Sequence, residues 1–457
     1  MRTLALVLAL SAIVSAQPSR DADILHALNR LTYGPRPGDV ERVRALGLRP
    51  WIDQQLQPSS IDNSALDRRL ARLETLTLDA QTIQREYSGP AMVERRQRDG
   101  QASEAQRKSR LVMAEVEEAK LLRAVYSERQ LEEVLIDFWF NHFNVFAGKG
   151  ATRNYVGGYE REAIRPYVLG SFREMLGATA RHPAMLFYLD NWLSSAQSAQ
   201  GAQGAQGARR RSSGLNENYA RELLELHTLG VDGGYTQDDI VNVAKAFSGW
   251  TMQPRQGSGF IFAVNGHDRG EKIVLGQKIA AGGGQADGER VLDIVASHPA
   301  TAKHISTKLA IRFVSDNPPA ALIDRVAARF IATKGDLREV IRTLLASPEF
   351  LAPGTYRTKV KTPLEFVASA LRATGADIRN AVPLARMLRE MGMPLYFCQP
   401  PTGYDDNATA WVSAGALVSR MNFAVDLSKN KVRGVRVSLT EAQTIALEIG
   451  APAFQRQ

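Results

Sequence analysis

Helix start signals recur along this chain of 457 residues and constrain its fold more than any other feature. Three of them, at 236–239, 336–339 and 362–365, place Thr or Asp three residues before Asp or Glu. The first side chain accepts a hydrogen bond from a free backbone N–H, and the second returns the bond. Apolar residues follow at the spacing of one helix face. The pattern predicts successive helices of about 10–16 residues, and hence an all-α, mostly helical fold built as one multi-helix body.

Two stretches interrupt the helical pattern. Residues 194–213 repeat Ala, Gln and Gly and end in arginines and serines, a composition that buries almost nothing and predicts a flexible surface loop. Residues 258–276 contain two short apolar runs, 260–264 and 272–275, around a segment bounded by glycine, which predicts a small β-hairpin. We find no linker, so we expect residues 17–457 to form a single large helical domain.

Residues 1–16 have the composition of a secretory signal peptide. One arginine precedes an apolar run from 4 to 14, which ends in Val14-Ser15-Ala16, a small-x-small pattern typical of a cleavage site. The run is shorter than the ~20 residues that span a bilayer. We therefore expect an exported protein without a transmembrane anchor, located in the periplasm or outside the cell. A retained N-terminal anchor is the alternative interpretation.

The composition is that of an ordinary globular protein. Apolar residues make up 44% and charged residues 23%, which excludes collagen-like, disulfide-rich and wholly disordered chains. Lys and Arg number 57 against 48 Asp and Glu, and the net charge of +9 suits an anionic envelope polymer as a partner. Nucleic acid is not expected as a partner, because export removes the usual targets. We expect the one cysteine, Cys398, to be a buried inert thiol, and the alternative is a nucleophile or an intermolecular disulfide.

Familiar catalytic motifs are absent: the sequence has no H-E-x-x-H, no G-x-S-x-G, no G-x-x-x-x-G-K and no paired C-x-x-C. The first candidate is instead a histidine on an apolar helix face. Val134, Leu135 and Phe138 share this face with His142, so its ring points inward. A neutral core histidine and a metal ligand or general base both fit such a position. Asn141, directly before it, would orient a reacting group.

The second candidate is the segment 216–227. On a regular helix Asn216 and His227 lie on the inward side, and Glu222 lies at the boundary, where a carboxylate reaches a cleft. Unpaired burial of a polar group costs about 1–3 kcal/mol, so each needs a partner. The partners are either structural or belong to a wet pocket. The candidate catalytic residues are therefore Glu222, His227, Asn141 and Asn216.

The third candidate is the adjacent pair His267 and Asp268 within the predicted hairpin. Such pairs bind divalent metals on the helices of one phosphohydrolase class, whereas Gly266 and Gly270 place this pair in a loop. The metal hypothesis takes His142, His267 and Asp268 as candidate ligands of a divalent ion. The sequence leaves open whether a metal is bound and which one.

Two other histidines precede proline at predicted helix starts. They occur in His182-Pro183 and His298-Pro299. The residue before a proline avoids the helical conformation, so these rings are expected to shape turns and not to take part in chemistry.

Five segments resemble one protein family. They are 139–143 (Trp-Phe-Asn-His-Phe), 182–190, 216–230 (beginning Asn-Glu-Asn-Tyr-Ala-Arg-Glu-Leu-Leu-Glu-Leu-His), 247–250 (Phe-Ser-Gly-Trp) and 267–268. With them the chain, from about 22 to 430, resembles the bacterial exported family catalogued as domain of unknown function 1800. The resemblance implies a mostly helical exported protein. It also implies a partner, an exported sulfatase- or phosphatase-like protein encoded nearby, but it transfers no catalytic roles.

Two functional hypotheses follow. We expect an exported enzyme of hydrolase type, with a divalent metal as one option, acting on an envelope or extracellular substrate through the candidate residues. The alternative is a non-catalytic scaffold that binds an envelope polymer or an exported partner protein through its basic surface.

Overall fold

Helices form most of the fold, which confirms the all-α prediction. The computed structural model describes residues 21–88, 104–196, 214–254, 259–437 and 442–457. The predicted signal peptide, 1–16, and residues 197–213 of the predicted loop lie outside the described residues.

The helices are numbered here in chain order. In the first half they are α1 (Asp21–Leu31), α2 (Asp39–Leu46), α3 (Leu48–Gln55), α4 (Ser64–Leu70), α5 (Ala80–Thr82), α6 (Glu104–Tyr126), α7 (Gln130–His142), α8 (Thr152–Tyr159), α9 (Phe172–Arg181), α10 (Pro183–Tyr188) and α11 (Glu217–Glu222). In the second half they are α12 (Gln237–Ala246), α13 (Ala286–Ala296), α14 (Pro299–Phe313), α15 (Ala320–Ala332), α16 (Leu337–Leu345), α17 (Pro363–Ala373), α18 (Val382–Glu390), α19 (Ala414–Ser428) and α20 (Ala442–Gly450). Three helices continue as π-helical segments: α5 over Ile83–Ser88, α8 over Glu160–Ile164 and α11 over Leu223–Thr228.

The predicted start signals work as caps. Thr236 and Asp239 form a reciprocal capping box at the start of α12, and Thr362 and Glu365 form another at α17. Asp336 caps α16 by accepting a hydrogen bond from the backbone N–H of residue 339. These local hydrogen bonds set where the helices of the second half begin.

The two histidines before proline are also caps. His182 Nδ1 accepts from the backbone N–H of residue 184 at 3.1 Å, and His298 Nδ1 accepts from that of residue 300 at 3.2 Å. Proline at the first helical position completes each start, because its missing N–H would have had no partner there. The expectation that these rings shape turns is confirmed.

Antiparallel strand pairs accompany the helices. They join β1 (Trp250–Thr251) to β2 (Ile261–Phe262), β3 (Lys272–Val274) to β4 (Gln277–Ile279), and β5 (Asp377–Ile378) to β6 (Val435–Arg436). The β excursion near 258–276 is confirmed, but its two apolar runs do not pair with each other. Leu275 and Gly276 take φ of 50° and 74°, which suits a two-residue turn and folds β3 directly onto β4. His267 and Asp268 therefore connect two small hairpins and do not form a tip.

Helix α7 runs through the core, where it positions the candidate residues. Its predicted apolar face is buried, and Trp139 and His142 are almost fully inaccessible. Buried apolar side chains from α1 to α20 belong to one contiguous cluster. The π-helical continuation of α11 brings His227 into this core beside His142, as the inward placement predicts.

Candidate functional site

His142 and His227 meet in the core with their ring centroids 6.3 Å apart. His142 Nε2 lies 3.1 Å from the backbone oxygen of His227, so this nitrogen carries the proton and donates it. His142 Nδ1 and His227 Nε2 are buried without a hydrogen-bond partner among the described residues. Burial lowers the pKa of His227 to about 3 and that of His142 well below 6.5, and Lys308 adds to both shifts. The two rings are therefore neutral at ordinary pH.

Two side chains of α14 extend this cluster. The ring centroid of His304 lies 6.2 Å from that of His142, and His304 Nε2 donates to the backbone oxygen of Leu226 at 3.2 Å. Lys308, one turn later, makes no hydrogen bond or ion pair within the described part of the chain. Burial lowers the pKa of Lys308, although nearby aspartates oppose the shift. An ammonium beside these imidazoles disfavours a metal cation at this place.

His267 belongs to a different network, in which both ring nitrogens are used. Nδ1 lies 2.8 Å from the backbone oxygen of Ser248, and Nε2 lies 3.1 Å from a carboxylate oxygen of Asp287. Lys272, fully buried, donates to the same Asp287 oxygen at 2.9 Å and to the backbone oxygens of Asp268 and residue 270. The Asp268 carboxylate lies 3.3 Å from the Lys272 ammonium. This network joins the β excursion to α13.

The candidate metal ligands are consequently not brought together. His142 faces the core cluster, whereas His267 and Asp268 are bonded around Lys272. Within the described ranges no group of three or more His, Cys, Asp or Glu side chains could hold a metal ion. A divalent metal stays a prediction from the sequence.

The polar residues of α11 have two different surroundings. Asn216 caps the helix: its side-chain oxygen accepts from the Asn218 N–H at 2.9 Å, and its amide donates to the backbone oxygen of Leu189 at 3.3 Å. Its partners are structural. Glu222 is half-buried, and burial together with the neighbouring Glu225 raises the pKa of its carboxyl group.

Asn141 lines a small cleft between α7 and the segment after α18. Its amide donates to the backbone oxygen of Tyr404 at 2.7 Å and accepts from the Tyr404 N–H at 2.7 Å. Gly403 (φ 74°) lies directly against Asn141, and an added Cβ would come within 2.3 Å of the Asn141 backbone oxygen. Only glycine fits this close approach. Through its two hydrogen bonds to Tyr404, Asn141 fixes the loop that carries the next residues of the cleft.

Asp406 is the most unusual group in this cleft. It is half-buried, and its carboxylate has no hydrogen bond or ion pair to the described residues. Burial raises its pKa, while Arg312, Lys308 and Lys359 oppose the shift without cancelling it. A carboxyl group with a raised pKa in a cleft is typical of a proton donor.

A second carboxylate lines the same cleft. Asp137, one turn before Asn141 on α7, lies 2.7 Å from the Lys120 ammonium. Burial lowers the pKa of Lys120, but Asp137 and Glu160 outweigh it and raise the value. Lys120 therefore stays charged and pairs with the Asp137 carboxylate.

A buried ionic network holds this wall of the cleft. Burial would raise the pKa of Glu160, but Lys120, Arg165 and Arg123 lower it to about 2. The hydroxyl of Tyr396 donates to Glu160 at 2.7 Å, and Tyr396 itself lines the cleft. The charged side chains of this wall are therefore paired with one another, in contrast to the carboxyl group of Asp406.

Cys398 also lines the cleft. It is buried and forms no disulfide, and burial raises the pKa of its thiol to about 11. The thiol is therefore protonated at ordinary pH, which agrees with the expectation of an inert group.

Sequence reasoning missed Asp137, Lys120, Arg312 and Asp406. Asp137 had a usable signal, because it stands four residues before Asn141 on the same helix. The neighbouring acidic pair 405–406 had a weaker signal, since its place beside α7 depends on a contact across more than 260 residues of chain.

The fold and these sites are those of a large helical protein, and comparison with known proteins gives its family. Residues 26–456 match the model of the family described as protein of unknown function (DUF1800), nearly the whole chain. The chain therefore belongs to this family. No curated protein and no solved structure matches it. None of the described helices combines the length and the apolar character needed to cross a bilayer.

Proposed function

We propose that this protein is an exported enzyme of hydrolase type that acts on an envelope or extracellular substrate in the cleft beside Tyr404. The export part rests on the signal-peptide pattern of residues 1–16. The enzyme part rests on one observation: the half-buried, unpartnered carboxyl group of Asp406, with its raised pKa, shares a cleft with the charge-paired Asp137.

The two carboxyl groups suit the two halves of acid–base hydrolysis. Asp406 keeps its proton at pH values at which an ordinary aspartate is ionised, so it would donate that proton to the leaving group of the substrate. Asp137 pairs with the Lys120 ammonium in the same cleft and would accept a proton from the attacking water. Asn141 holds the Tyr404 backbone and thereby positions the loop of Asp406.

A scaffold is the second candidate, favoured by the net charge of +9. It would bind an anionic envelope polymer, or an exported sulfatase- or phosphatase-like partner, without turnover. The two candidates differ in whether the protonation of Asp406 matters.

Hydrolysis assays of Asp406→Asn test the proposal. We would assay the full chain against chromogenic esters, glycosides and phosphate esters and against dye-labelled envelope polymers. Loss of the proton donor is expected to lower kcat/KM by about 10²–10⁴-fold. The matched control is Asp324→Asn, an exposed aspartate on α15, which should leave activity unchanged.

The pH profile gives an independent readout. Wild-type activity should fall as pH rises through the raised pKa of Asp406, because the donor then loses its proton. If the wild-type protein turns over nothing in this panel, while it binds a polymer equally well with either residue at 406, the enzyme proposal is wrong and the scaffold is favoured.

A further inference from the structure

Helix α19 is apolar on two faces, and only one of them is covered. Phe423, Ala424 and Leu427 on the inner face are buried. On the outer face Leu417, Val418, Met421 and Val425 are exposed by 49%, 57%, 51% and 39% of their surfaces. They recur at helical spacing, so they form one stripe, called here the α19 stripe. Single exposed apolar residues are ordinary, but a contiguous stripe indicates a binding surface.

Basic residues continue this surface at its C-terminal end. Lys429 lies four residues after Val425 and therefore extends the stripe by one turn. Lys431 and Arg433 follow in the segment that leads into β6, Arg436 lies in β6, and all four side chains are exposed. None of them forms an ion pair with a residue that the structure describes. We call these four residues the basic cluster.

We propose that the α19 stripe and the basic cluster together dock this protein on an anionic membrane surface. The basic cluster is complementary to acidic lipid headgroups, and the stripe is complementary to the boundary between headgroups and acyl chains. This docking leaves the helix parallel to the membrane plane and needs no spanning segment. It is independent of the enzyme proposed for the cleft.

The composition of the surface favours lipid over a protein partner. Protein interfaces are enriched in aromatic residues, methionine and arginine and depleted of lysine at their centres. The α19 stripe has no aromatic side chain, and two exposed lysines, Lys429 and Lys431, follow it along the chain. An aliphatic helix face combined with basic residues is instead typical of helices that lie in a membrane interface.

Co-sedimentation with vesicles tests the docking. The full chain should bind vesicles of equal parts phosphatidylcholine and phosphatidylglycerol and should bind pure phosphatidylcholine far more weakly. Raising the salt concentration should release it, because salt screens the attraction of the basic cluster. Equal binding to both kinds of vesicle, or binding to neither, would overturn the proposal.

Two variants separate the basic and apolar contributions. Each basic residue near an acidic membrane is worth about a fivefold change in partitioning, so the triple variant Lys429→Gln, Lys431→Gln, Arg433→Gln should bind roughly 100-fold more weakly. Its control removes the same charge at the exposed residues Arg68, Arg153 and Lys303 and should bind nearly as wild type. The double variant Val418→Gln, Met421→Gln should also lose binding, whereas Val231→Gln, Val264→Gln should not.

The oligomeric state of the protein in solution distinguishes membrane docking from a contact between copies of the chain. All substituted residues are exposed, so circular dichroism should show an unchanged fold. If light scattering shows self-association that the Val418, Met421 variant abolishes, and acidic vesicles are not bound, the α19 stripe is a contact between copies of the chain and the membrane proposal is wrong.

Discussion

His267 and His227 are both almost fully buried, with 6% and 2% of their surfaces exposed, yet their surroundings are opposite. Both ring nitrogens of His267 face acceptors, the Ser248 backbone oxygen and the Asp287 carboxylate. His227 Nε2 has no partner among the described residues, and burial beside Lys308 lowers the pKa of the ring to about 3.

The difference shows that burial alone does not define the role of a histidine. His267 connects the β excursion to α13 through its bonds to Ser248 and Asp287, and removing it leaves the Ser248 oxygen without its partner and the Asp287 carboxylate with Lys272 alone. His227 adds a polar atom to an aromatic cluster and gains nothing from it in stability. A buried imidazole that costs stability at neutral pH is a weak point of the fold under acid conditions.

The largest expected effect is a loss of stability that distinguishes His267 from His227 directly. His267→Phe should lower the free energy of unfolding by roughly 2–3 kcal/mol, because the Ser248 oxygen and the Asp287 carboxylate each lose a buried partner. His227→Phe should change it by less than about 1.5 kcal/mol, because the hydrogen bond from His142 goes to the backbone of residue 227 and survives. Urea unfolding at neutral pH measures both. Equal losses in the two variants would remove the distinction between the sites.

Acid stability gives a smaller effect that depends on His227. The pKa values of His26, His227 and His304 in the folded protein are about 4, 3 and 4, below the ordinary 6.5. As pH falls below 6.5 the unfolded chain takes up protons that the folded protein does not. Each such histidine should therefore lower the free energy of unfolding by about 1.4 kcal/mol per pH unit, down to its folded pKa.

The variant His227→Phe sharpens this test. Urea unfolding at about pH 7, 6 and 5 should show a shallower loss of stability for the variant than for the wild type. The two slopes should differ by the contribution of one histidine. The same slope in both proteins would mean that His227 is not held neutral in the folded state.

The smallest effect concerns a third use of histidine, in which the ring caps a helix at the surface of the core. His298→Ala should lower the free energy of unfolding by about 1 kcal/mol, because the N–H of residue 300 loses its acceptor. His298→Asn should restore most of the loss, since asparagine is a good cap. Denaturant midpoints of the two variants measure the difference, and an Asn variant as unstable as the Ala variant would argue against the capping role.

Much of the local structure was readable from the sequence. The capping boxes of α12 and α17, the cap of α16 and the inward face of α7 all formed as predicted, because their bonds join residues close in the chain. The pairing within the β excursion was predicted wrongly. The two-residue turn at 275–276, where a leucine takes positive φ, has little signal in the sequence.

The candidate sites were less predictable. The inward placement of His142 and His227 was sound, but their partners could not be foreseen, since Lys308 approaches from a helix about 80 residues beyond His227. Asn216 proved to be a cap with structural partners, one of the two alternatives that the sequence left open.

The sequence by itself determined the helices, their starting points and the faces that they bury, since these depend on neighbours within a few residues. Only the tertiary structure decided which polar groups meet. Asn141 and Tyr404, separated by 263 positions, form the contact that brings Asp406 to the cleft of α7. Such a contact depends on how the whole core packs, and no local pattern encodes it.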